Sequence, residues 1–465
     1  MKDMVNTEVP STQETTGRGH SFGPIRLSQG VGTSHALSFL MVAISSIGLV
    51  VFLNFMQPYL LHGQIKVPAR SLGLLTSHLS IMQELLVLIC VGPLGALCDR
   101  VGRPPVFAAG LTGLALGLGL YSMVTSVVGL YVARFVFGCG VASVTATLAT
   151  VAADYPHNRD RGKFLGLLLV TQQLAILGLV ANLAAKLPHW LIARGVDGIA
   201  AGQITFRAAA VVGVAGAALA FFGLKHGTSM PKRQPAASAY GPLARRFDTL
   251  RLIVQQVRRE PRFMIVLAVA FVARGDAAIM TTFLSLWTLR IASESGIDTA
   301  AALSIAGRLL SAVTFCGIAT ALFIGWAADR LNRVSVLAVA LAVAGGGNIA
   351  LLTIRSFGDW PVYALVGLIA AAETAVIVCG QAVLGEQARA ELRGAAVGAF
   401  SIFGSLGVLI LVFCGGLLFD KVSGQAPFVM IGAVNLLASL AAIYVALRPG
   451  FQSNEANAAR TNTSY

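Results

Sequence analysis

The chain has 465 residues, of which 56% are hydrophobic and only 12% are charged, and its mean hydropathy is +0.77. Soluble domains carry roughly 25% charged residues, so this chain has too few charges to cover the two or three soluble domains that its length would form. The composition excludes a soluble, disordered or collagen-like chain and predicts that most of the protein lies in lipid.

The two ends of the chain are polar. Residues 1–35 are rich in Ser, Thr and Gly and lack the basic start, short apolar core and cleavage site of a signal peptide. We therefore expect residues 1–35 and 448–465 to be polar tails.

Twelve apolar runs lie between the tails, and each is long enough for the roughly 20 helical residues that cross a bilayer. Lipid offers the backbone no hydrogen-bond partners, so helices are the expected form. The pattern predicts an all-α membrane protein with twelve transmembrane helices. The predicted spans are 36–60, 72–98, 104–124, 127–150, 163–186, 205–224, 263–289, 303–328, 333–354, 360–384, 395–419 and 425–447.

The basic residues are distributed unevenly among the connecting segments. Of the 34 Lys and Arg residues, 23 fall in segments on the side of the N-terminus, nine fall on the opposite side, and two lie within predicted helices. By the positive-inside rule, this distribution predicts that both termini are cytoplasmic. The net charge of +14 is thereby explained by topology, and no nucleic-acid partner is expected.

One connecting loop, residues 225–262, is long. Its second part, 243–259, mixes Leu, Ile, Val and Phe with Arg at helical spacing, which is typical of a basic amphipathic helix on the inner leaflet. A solvated charged connector is the alternative.

The sequence contains an internal repeat. The pattern G-x-x-x-D-R-x-x-R occurs at Gly95–Arg103 and again 230 residues later at Gly325–Arg333, and an Arg-Gly pair at Arg161 recurs at Arg393. The two pairs of matching stretches are separated by nearly the same number of residues. This repeat predicts two pseudo-symmetric six-helix bundles, residues 36–224 and 263–447, joined by the loop 225–262.

The repeated pattern supplies candidate gating residues. An Asp at a helix end within the membrane interface needs a partner, so we expect Arg100, Arg103 or a neighbouring helix N-terminus to hold Asp99. Such pairs can break and re-form when the bundles move, whereas a fixed topology anchor is the alternative. The candidates are Gly95, Asp99, Arg100, Arg103, Gly325, Asp329, Arg330 and Arg333.

These motifs resemble those of the major facilitator superfamily. Gly95–Arg103 is similar to the family signature between helices 2 and 3, although Pro104 and Pro105 replace its usual basic residues, and Arg134–Gly140 resembles the helix 4 signature R-x-x-x-G-x-G. The resemblance implies alternating access between two halves and a role of Arg134 in proton coupling. The Gly-Pro signature typical of drug/proton antiporters is missing from residues 163–186, which disfavours drug export.

Five ionisable residues fall well inside predicted helices: Glu84, Arg134, Arg274, Asp276 and Glu373. Charges at such depth are costly, so each is a candidate for proton coupling or substrate binding. Arg274 and Asp276 are two residues apart and do not share a helix face, so we expect Asp276 to face a central cavity without Arg274. Structural contacts between helices are the alternative.

Uncharged polar residues within the spans are candidate cavity lining, with inter-helix hydrogen bonds as the alternative. They are Asn54, Gln57, Gln172, Gln173 and Gln381.

No nucleotide-binding, hydrolase or metal-ligand motif occurs, and the six cysteines show no metal or disulfide spacing, so we expect no enzyme, catalytic residue, cofactor or metal. The sequence predicts a monomeric secondary active transporter in the plasma membrane that takes up a small organic solute with protons. Proton-driven efflux of drugs or toxic amphipathic compounds is the alternative, and a non-transporting membrane sensor is the alternative from another class.

Overall fold

The computed structural model describes residues 21–157, 160–226, 261–330, 332–354, 357, 360–387 and 393–447. Within these ranges the protein is helical apart from one short hairpin, in which β1 (Ser21–Phe22) pairs antiparallel with β2 (Ile25–Arg26). The amphipathic segment predicted at 243–259 lies outside the described residues.

Twelve helices in the described residues are long and apolar enough to cross a membrane, which confirms the all-α membrane class. The first six are α1 (Thr33–Gly63), α2 (Leu72–Val101), α3 (Arg103–Tyr121), α4 (Val127–Asp154), α5 (Arg161–Ala175 continued by Ile176–Ala184 and Ala185–Ile192) and α6 (Gly198–Gly223). The last six are α7 (Pro261–Glu294), α8 (Thr299–Arg330), α9 (Arg333–Ala350), α10 (Trp360–Gln387), α11 (Arg393–Lys421) and α12 (Ala426–Ala446). Short 3-10 turns at Ala69–Ser71 and Leu351–Thr353 flank α2 and α9.

The helices pack in two groups of six with matching contacts. In the first group α3 packs against α4 and α6, α2 against α4, and α1 against α5 and α6. In the second group α9 packs against α10 and α12, α8 against α10, and α7 against α11 and α12. Each pair in the first group has its counterpart six helices later, so the internal repeat of the sequence corresponds to repeated packing.

The segment before α1 differs from the expected polar tail. Ile25, Leu27 and Val31 are buried, Leu27 forms a β-bridge with Pro156, and the Ser28 N–H donates to the Tyr155 carbonyl at 2.8 Å. Residues 21–31, which we term the strap, therefore dock on the connection between α4 and α5. The prediction of a tail over 1–35 is wrong for this part. The three apolar side chains, which are spaced among polar ones, are buried in a pocket that forms only when the bundle folds.

Some of the predicted helices are shorter than the observed ones. α5 continues to Ile192 and α6 begins at Gly198, seven residues before the predicted start, because Asp197 caps α6 through the Ile199 N–H at 3.0 Å. Trp287, near the end of α7, is buried against Phe357 and Phe428.

Candidate functional site

The two halves meet in a seam between α2 and α11 at the end of the bundle opposite the chain termini. Asp420, near the end of α11, accepts hydrogen bonds from the Gly73 N–H at 2.8 Å and the Leu74 N–H at 2.7 Å, so it caps the N-terminus of α2. One turn deeper, the Ser77 hydroxyl donates to the Val412 carbonyl at 2.8 Å. A carboxylate at a helix N-terminus is favourable, and here that contact links the two halves.

The seam depends on small residues. A Cβ added at Gly73 would lie 2.8 Å from both the Gly416 carbonyl and Asp420 Oδ1, so no side chain fits there while the seam is closed. On the far side of the molecule, Gly307 of α8 packs directly on Ala185 of α5. The adjoining stretch of α5, Ile176–Ala184, is a π-helix, a form that is frequent at functional sites.

An ion pair lies where the α2–α11 seam reaches mid-membrane. Arg274 of α7 donates through Nη2 to Glu84 Oε1 at 3.1 Å and through Nη1 to the Ser405 hydroxyl at 3.2 Å, and that hydroxyl donates to the same Glu84 oxygen at 2.6 Å. Glu84 belongs to the first half, and the other two residues belong to the second. The Arg274 side chain is 43% exposed and that of Glu84 is 11% exposed, so the triad borders open space.

Beyond Glu84, α2 becomes exposed toward the termini end, with Ile89 at 61% and Val101 at 58%. In the described part of the chain, the contacts of Asp420 and Ser77 close the halves against each other at the seam end.

The first half contains a buried cation with neutral partners. Arg134 of α4 is fully buried and donates to Asn54 Oδ1 at 2.8 Å, to Gln57 Oε1 at 3.2 Å and to the Leu79 carbonyl at 3.2 Å. Asn54 and Gln57 therefore hold Arg134, because their spacing of three places both on one face of α1. Hydrogen bonds disperse the charge, and none of these partners neutralises it.

The second half contains a buried carboxylate cluster. Asp276 of α7 is only 2% exposed, and its Oδ2 accepts from Asn435 Nδ2 of α12 at 2.8 Å. Glu373 of α10 and Asn348 of α9 lie within side-chain reach of the same carboxylate. The expectation that Asp276 faces a central cavity is therefore wrong: four helices of one half enclose it. As expected, Asp276 does not pair with Arg274, which points to Glu84.

Close helix packing brings the two asparagines to Asp276. A Cβ on Gly345 or on Gly432 would lie 2.8 Å from the carbonyl oxygen of the other glycine, so α9 and α12 cross in direct backbone contact there. Asn348 and Asn435 each follow by three residues, one turn along their helices. The shared pattern G-x-x-N is visible in the sequence and could have marked both residues.

The other three predicted cavity residues lie in different surroundings. Gln173 approaches Gly317 of α8 and Thr374 of α10, so it lies between the halves, while Gln172 is partly buried and Gln381 is exposed. The sequence reasoning missed Ser405 and Asp420, since a serine and a helix-terminal aspartate carry no local signal of contact across the seam.

In the first copy of the repeated motif, Gly95–Arg103, the contacts of the charged residues differ from those expected. Arg103 forms an ion pair with Asp154 at the end of α4, whereas Asp99 and Arg100 are exposed and Gly95 is partly exposed. Of the three partners expected for Asp99, Arg103 is thus engaged by Asp154 instead, because the turn after α2 directs Arg103 toward α4. Of the second copy, the side chains of Gly325, Asp329 and Arg330 lie outside the described residues, and Arg333 begins α9.

Among curated proteins, the chain is 25% identical over 422 residues to magnetosome protein MamH of Paramagnetospirillum magneticum strain AMB-1, covering 88% of this chain and 91% of MamH. It is 23% identical to magnetosome protein MamZ of Magnetospirillum gryphiswaldense strain MSR-1, covering 89% of this chain. The chain spans only 62% of that MamZ and 63% of the MamZ of Paramagnetospirillum magneticum.

Solved transporter structures share the fold. The nucleoside transporter NupG superposes with a TM-score of 0.65 at 12% identity, covering 89% of this chain and 99% of NupG. An inward-facing, unoccupied bacterial homologue of the human lysosomal transporter Spinster superposes with a TM-score of 0.63 at 14% identity, covering 89% and 98%.

The family model described as Major Facilitator Superfamily matches residues 38–308 and 279–464, which together run from within α1 to beyond the end of α12. Together with the duplicated six-helix packing, this match shows that the chain belongs to the Major Facilitator Superfamily of transporters.

Proposed function

We propose that the protein is a proton-coupled secondary transporter that takes up a small organic solute by alternating access. The observation that carries the proposal is the adjoining pair Asp276 and Glu373. Asp276 is only 2% exposed, Glu373 is partly exposed, and Asp276 Oδ1 and Glu373 Oε1 are buried oxygens on neighbouring side chains.

A single proton held between the two carboxyl groups gives each of these oxygens a partner. Two adjacent carboxylates cannot both stay ionised at low cost in a buried site, so sharing one proton is the favourable arrangement. A site that gains and loses one proton as its surroundings change supplies the coupling that a proton-driven carrier needs.

The gate in this proposal is the triad of Glu84, Arg274 and Ser405. Because it joins the halves at mid-membrane, rocking of the halves breaks these hydrogen bonds and exposes Arg274 to the pathway. With the predicted cytoplasmic termini, the closed seam end faces outward. The half-exposed Arg274 guanidinium favours a solute that carries a carboxylate or phosphate, which arginine binds well.

Efflux of drugs or toxic amphipathic compounds is the second candidate direction, and the missing Gly-Pro pattern in α5 disfavours it. A non-transporting sensor built on the same fold is the alternative from another class. We propose the plasma membrane as the location. Because the three curated relatives are named magnetosome proteins, the magnetosome membrane is the second candidate, which a fluorescent fusion viewed in the native host distinguishes.

The test uses purified protein in proteoliposomes with an imposed pH gradient and a mixture of labelled organic anions, nucleosides and sugars. An inward proton gradient should drive solute uptake, and Asp276→Asn and Glu373→Gln should each abolish the stimulation by the gradient. Glu294→Gln is the matched control, because Glu294 is an exposed carboxylate on α7, the helix that carries Asp276. Extrusion against the gradient would favour the antiport alternative, and no flux with any solute class would favour the sensor.

A further inference from the structure

The exposed side of Arg274 faces space inside the protein. α7 packs against α1 and α2 of the first half and against α8, α10, α11 and α12 of the second, so helices of both halves lie around it. The Arg274 side chain is nevertheless 43% exposed. A charge that faced hydrocarbon at mid-membrane would be costly, so this exposed surface belongs to the space between the halves. Arg274 is therefore open to a solute that enters there.

The Arg274 guanidinium is positioned by its own half. A Cβ on Gly404 of α11 would overlap the Cδ atom of Arg274, so the arginine side chain lies directly on the α11 backbone. The next residue, Ser405, is only 4% exposed, and its hydroxyl accepts from Arg274 Nη1 at 3.2 Å. Both contacts come from the second half, so the guanidinium keeps its place when Glu84 of the first half moves away. The cation is thus preorganised for an anion.

Glu84 engages Arg274 through a single oxygen. In the described part of the chain, Arg274 Nη2 and the Ser405 hydroxyl both donate to Glu84 Oε1. Arginine and a carboxylate bind most strongly side by side, through two parallel hydrogen bonds. The guanidinium has more N–H donors than its contacts with Glu84 and Ser405 use. A second carboxylate that lies side by side with the guanidinium can therefore bind Arg274 more favourably than Glu84 does.

We propose that the transported solute is a carboxylate, and that its carboxylate group displaces Glu84 from Arg274. The inference rests on the proposed function, since it names the solute class and the way in which solute binding releases the contact between α2 and α7. Glu84 is itself a carboxylate, so the position beside Arg274 already accommodates this group. After displacement, Glu84 keeps the hydrogen bond that Ser405 donates, which is 2.6 Å long in the closed arrangement.

The exchange also fits the coupling to a proton. One negative charge enters with the solute, and one positive charge enters with the proton held by Asp276 and Glu373. A solute with one carboxylate therefore adds no net charge to the membrane interior, where an uncompensated charge is costly. A neutral solute would leave the ion pair of Glu84 and Arg274 intact and the halves joined.

Thermal unfolding of the purified protein in detergent tests the site without a known solute. The probes are benzoate and butyrate, with the neutral amides benzamide and butyramide of matching shape, all at one ionic strength set with sodium chloride. The two carboxylates should raise Tm in a concentration-dependent way, because a ligand that binds the folded state stabilises it, and the two amides should not. Equal effects of carboxylates and amides would overturn the inference.

Two variants test the competition for Arg274. In Glu84→Gln the carboxylates should bind about fivefold more tightly, because the internal competitor has lost its charge. In Arg274→Gln they should no longer bind, and Arg274→Lys, which cannot bind a carboxylate side by side, serves if the glutamine variant does not fold. Carboxylate affinity that is unchanged in Glu84→Gln, or retained without Arg274, would overturn the inference.

Gly404→Ala tests the positioning of Arg274. The new methyl group would push the flexible arginine side chain away from α11, so the protein should fold but bind the carboxylates several-fold more weakly. Gly398→Ala is the matched control on the same helix, because a Cβ there meets nothing within 4 Å. Equal carboxylate affinity in the two variants would contradict the role of Gly404.

A cysteine at Ser77 in the seam, in a background without native cysteines, distinguishes displacement from simple addition of the anion. Bound carboxylate should speed its reaction with a membrane-impermeant thiol reagent, and in Glu84→Gln the reaction should be fast without carboxylate. A rate that bound carboxylate does not change would overturn displacement.

Failure of the inference and failure of the proposed function give different results in proteoliposomes. Proton-stimulated flux of neutral solutes, in a protein that binds no carboxylate, overturns the inference and leaves the proposed function intact. Carboxylate binding that depends on Arg274, without proton-stimulated flux of any carboxylate, overturns the proposed function.

Discussion

Arg274 of α7 donates to Glu84 of α2 at 3.1 Å, and this ion pair joins the two halves at the level where their seam ends. The two residues lie 190 positions apart in the sequence and belong to different halves. The proposed rocking of the halves would break this contact, which makes it the first target for mutation.

Glu84→Gln should weaken closure at the seam end and leave the protein folded. The amide still accepts from Ser405 but loses the charge that holds Arg274. Because the arginine is partly exposed, we expect a loss of about 1 kcal/mol in stability rather than the larger cost of a fully buried pair. Thermal unfolding followed by tryptophan fluorescence measures it, and an unchanged Tm together with unchanged solute flux would contradict a role for the pair.

Gly73→Ala should prevent full closure of the seam. The new methyl group would lie 2.8 Å from the Gly416 carbonyl and from Asp420 Oδ1. The Gly416 carbonyl belongs to the backbone of α11, so it cannot move away as a flexible side chain can. A cysteine at Ser77, in a background without native cysteines, should then react with a membrane-impermeant thiol reagent several-fold faster. Gly398→Ala on α11 is the matched control, because a Cβ there meets nothing within 4 Å.

Arg134→Ala should destabilise the first half by about 3 kcal/mol, since it leaves a cavity and removes the donor for the side-chain oxygens of Gln57, which is buried, and Asn54, which is partly buried. Arg134→Lys keeps the charge but cannot reach Asn54, Gln57 and the Leu79 carbonyl together, so it should fold and lose most transport. Thermal unfolding and flux measured on the same preparation separate the two effects. Full flux in the lysine variant would show that only the charge matters.

Asp160→Ala should release the strap. The Arg26 backbone N–H donates to Asp160 Oδ2 at 3.0 Å, and this hydrogen bond, followed by that from Lys163, holds the pKa of Asp160 below its usual value. Because that pKa is lowered, the carboxylate stabilises docking at neutral pH, and the contribution disappears as the pH falls below about 4.

Hydrogen exchange of residues 25–31 measures docking of the strap. Exchange at neutral pH should become faster in Asp160→Ala, whereas Asp197→Ala, which removes a helix cap elsewhere, should leave it unchanged. Equal protection of the strap in the wild-type protein and in Asp160→Ala would contradict the role of this carboxylate.

The sequence alone predicts the twelve helices because lipid requires each span to be apolar and long, and that requirement is local. It also singles out Glu84, Arg134, Arg274, Asp276 and Glu373, because charges inside apolar runs are rare. It does not give their partners. Ser405, Asn348 and Asn435 come from other helices, and which faces meet is decided by packing at glycines such as Gly345 and Gly432.

The docking of the strap was not predicted for a similar reason. Ile25, Leu27 and Val31 are too few to predict a buried segment, and their pocket exists only after α4 and α5 have folded. Likewise, the sequence could not distinguish burial of Asp276 within one half from a position in a central cavity, since a residue in either position faces away from lipid.

Alternating opening of the two ends is tested most directly by spin-label distances measured in one reconstituted sample. Labels at Arg194 and Val422 report the seam end, and labels at Val101 and Phe323 report the termini end; all four positions are exposed. When conditions are shifted between protonated and deprotonated protein, the distance at one end should lengthen as the other shortens. Distances that stay constant at both ends, in a preparation that transports solute, would contradict rocking of the two halves.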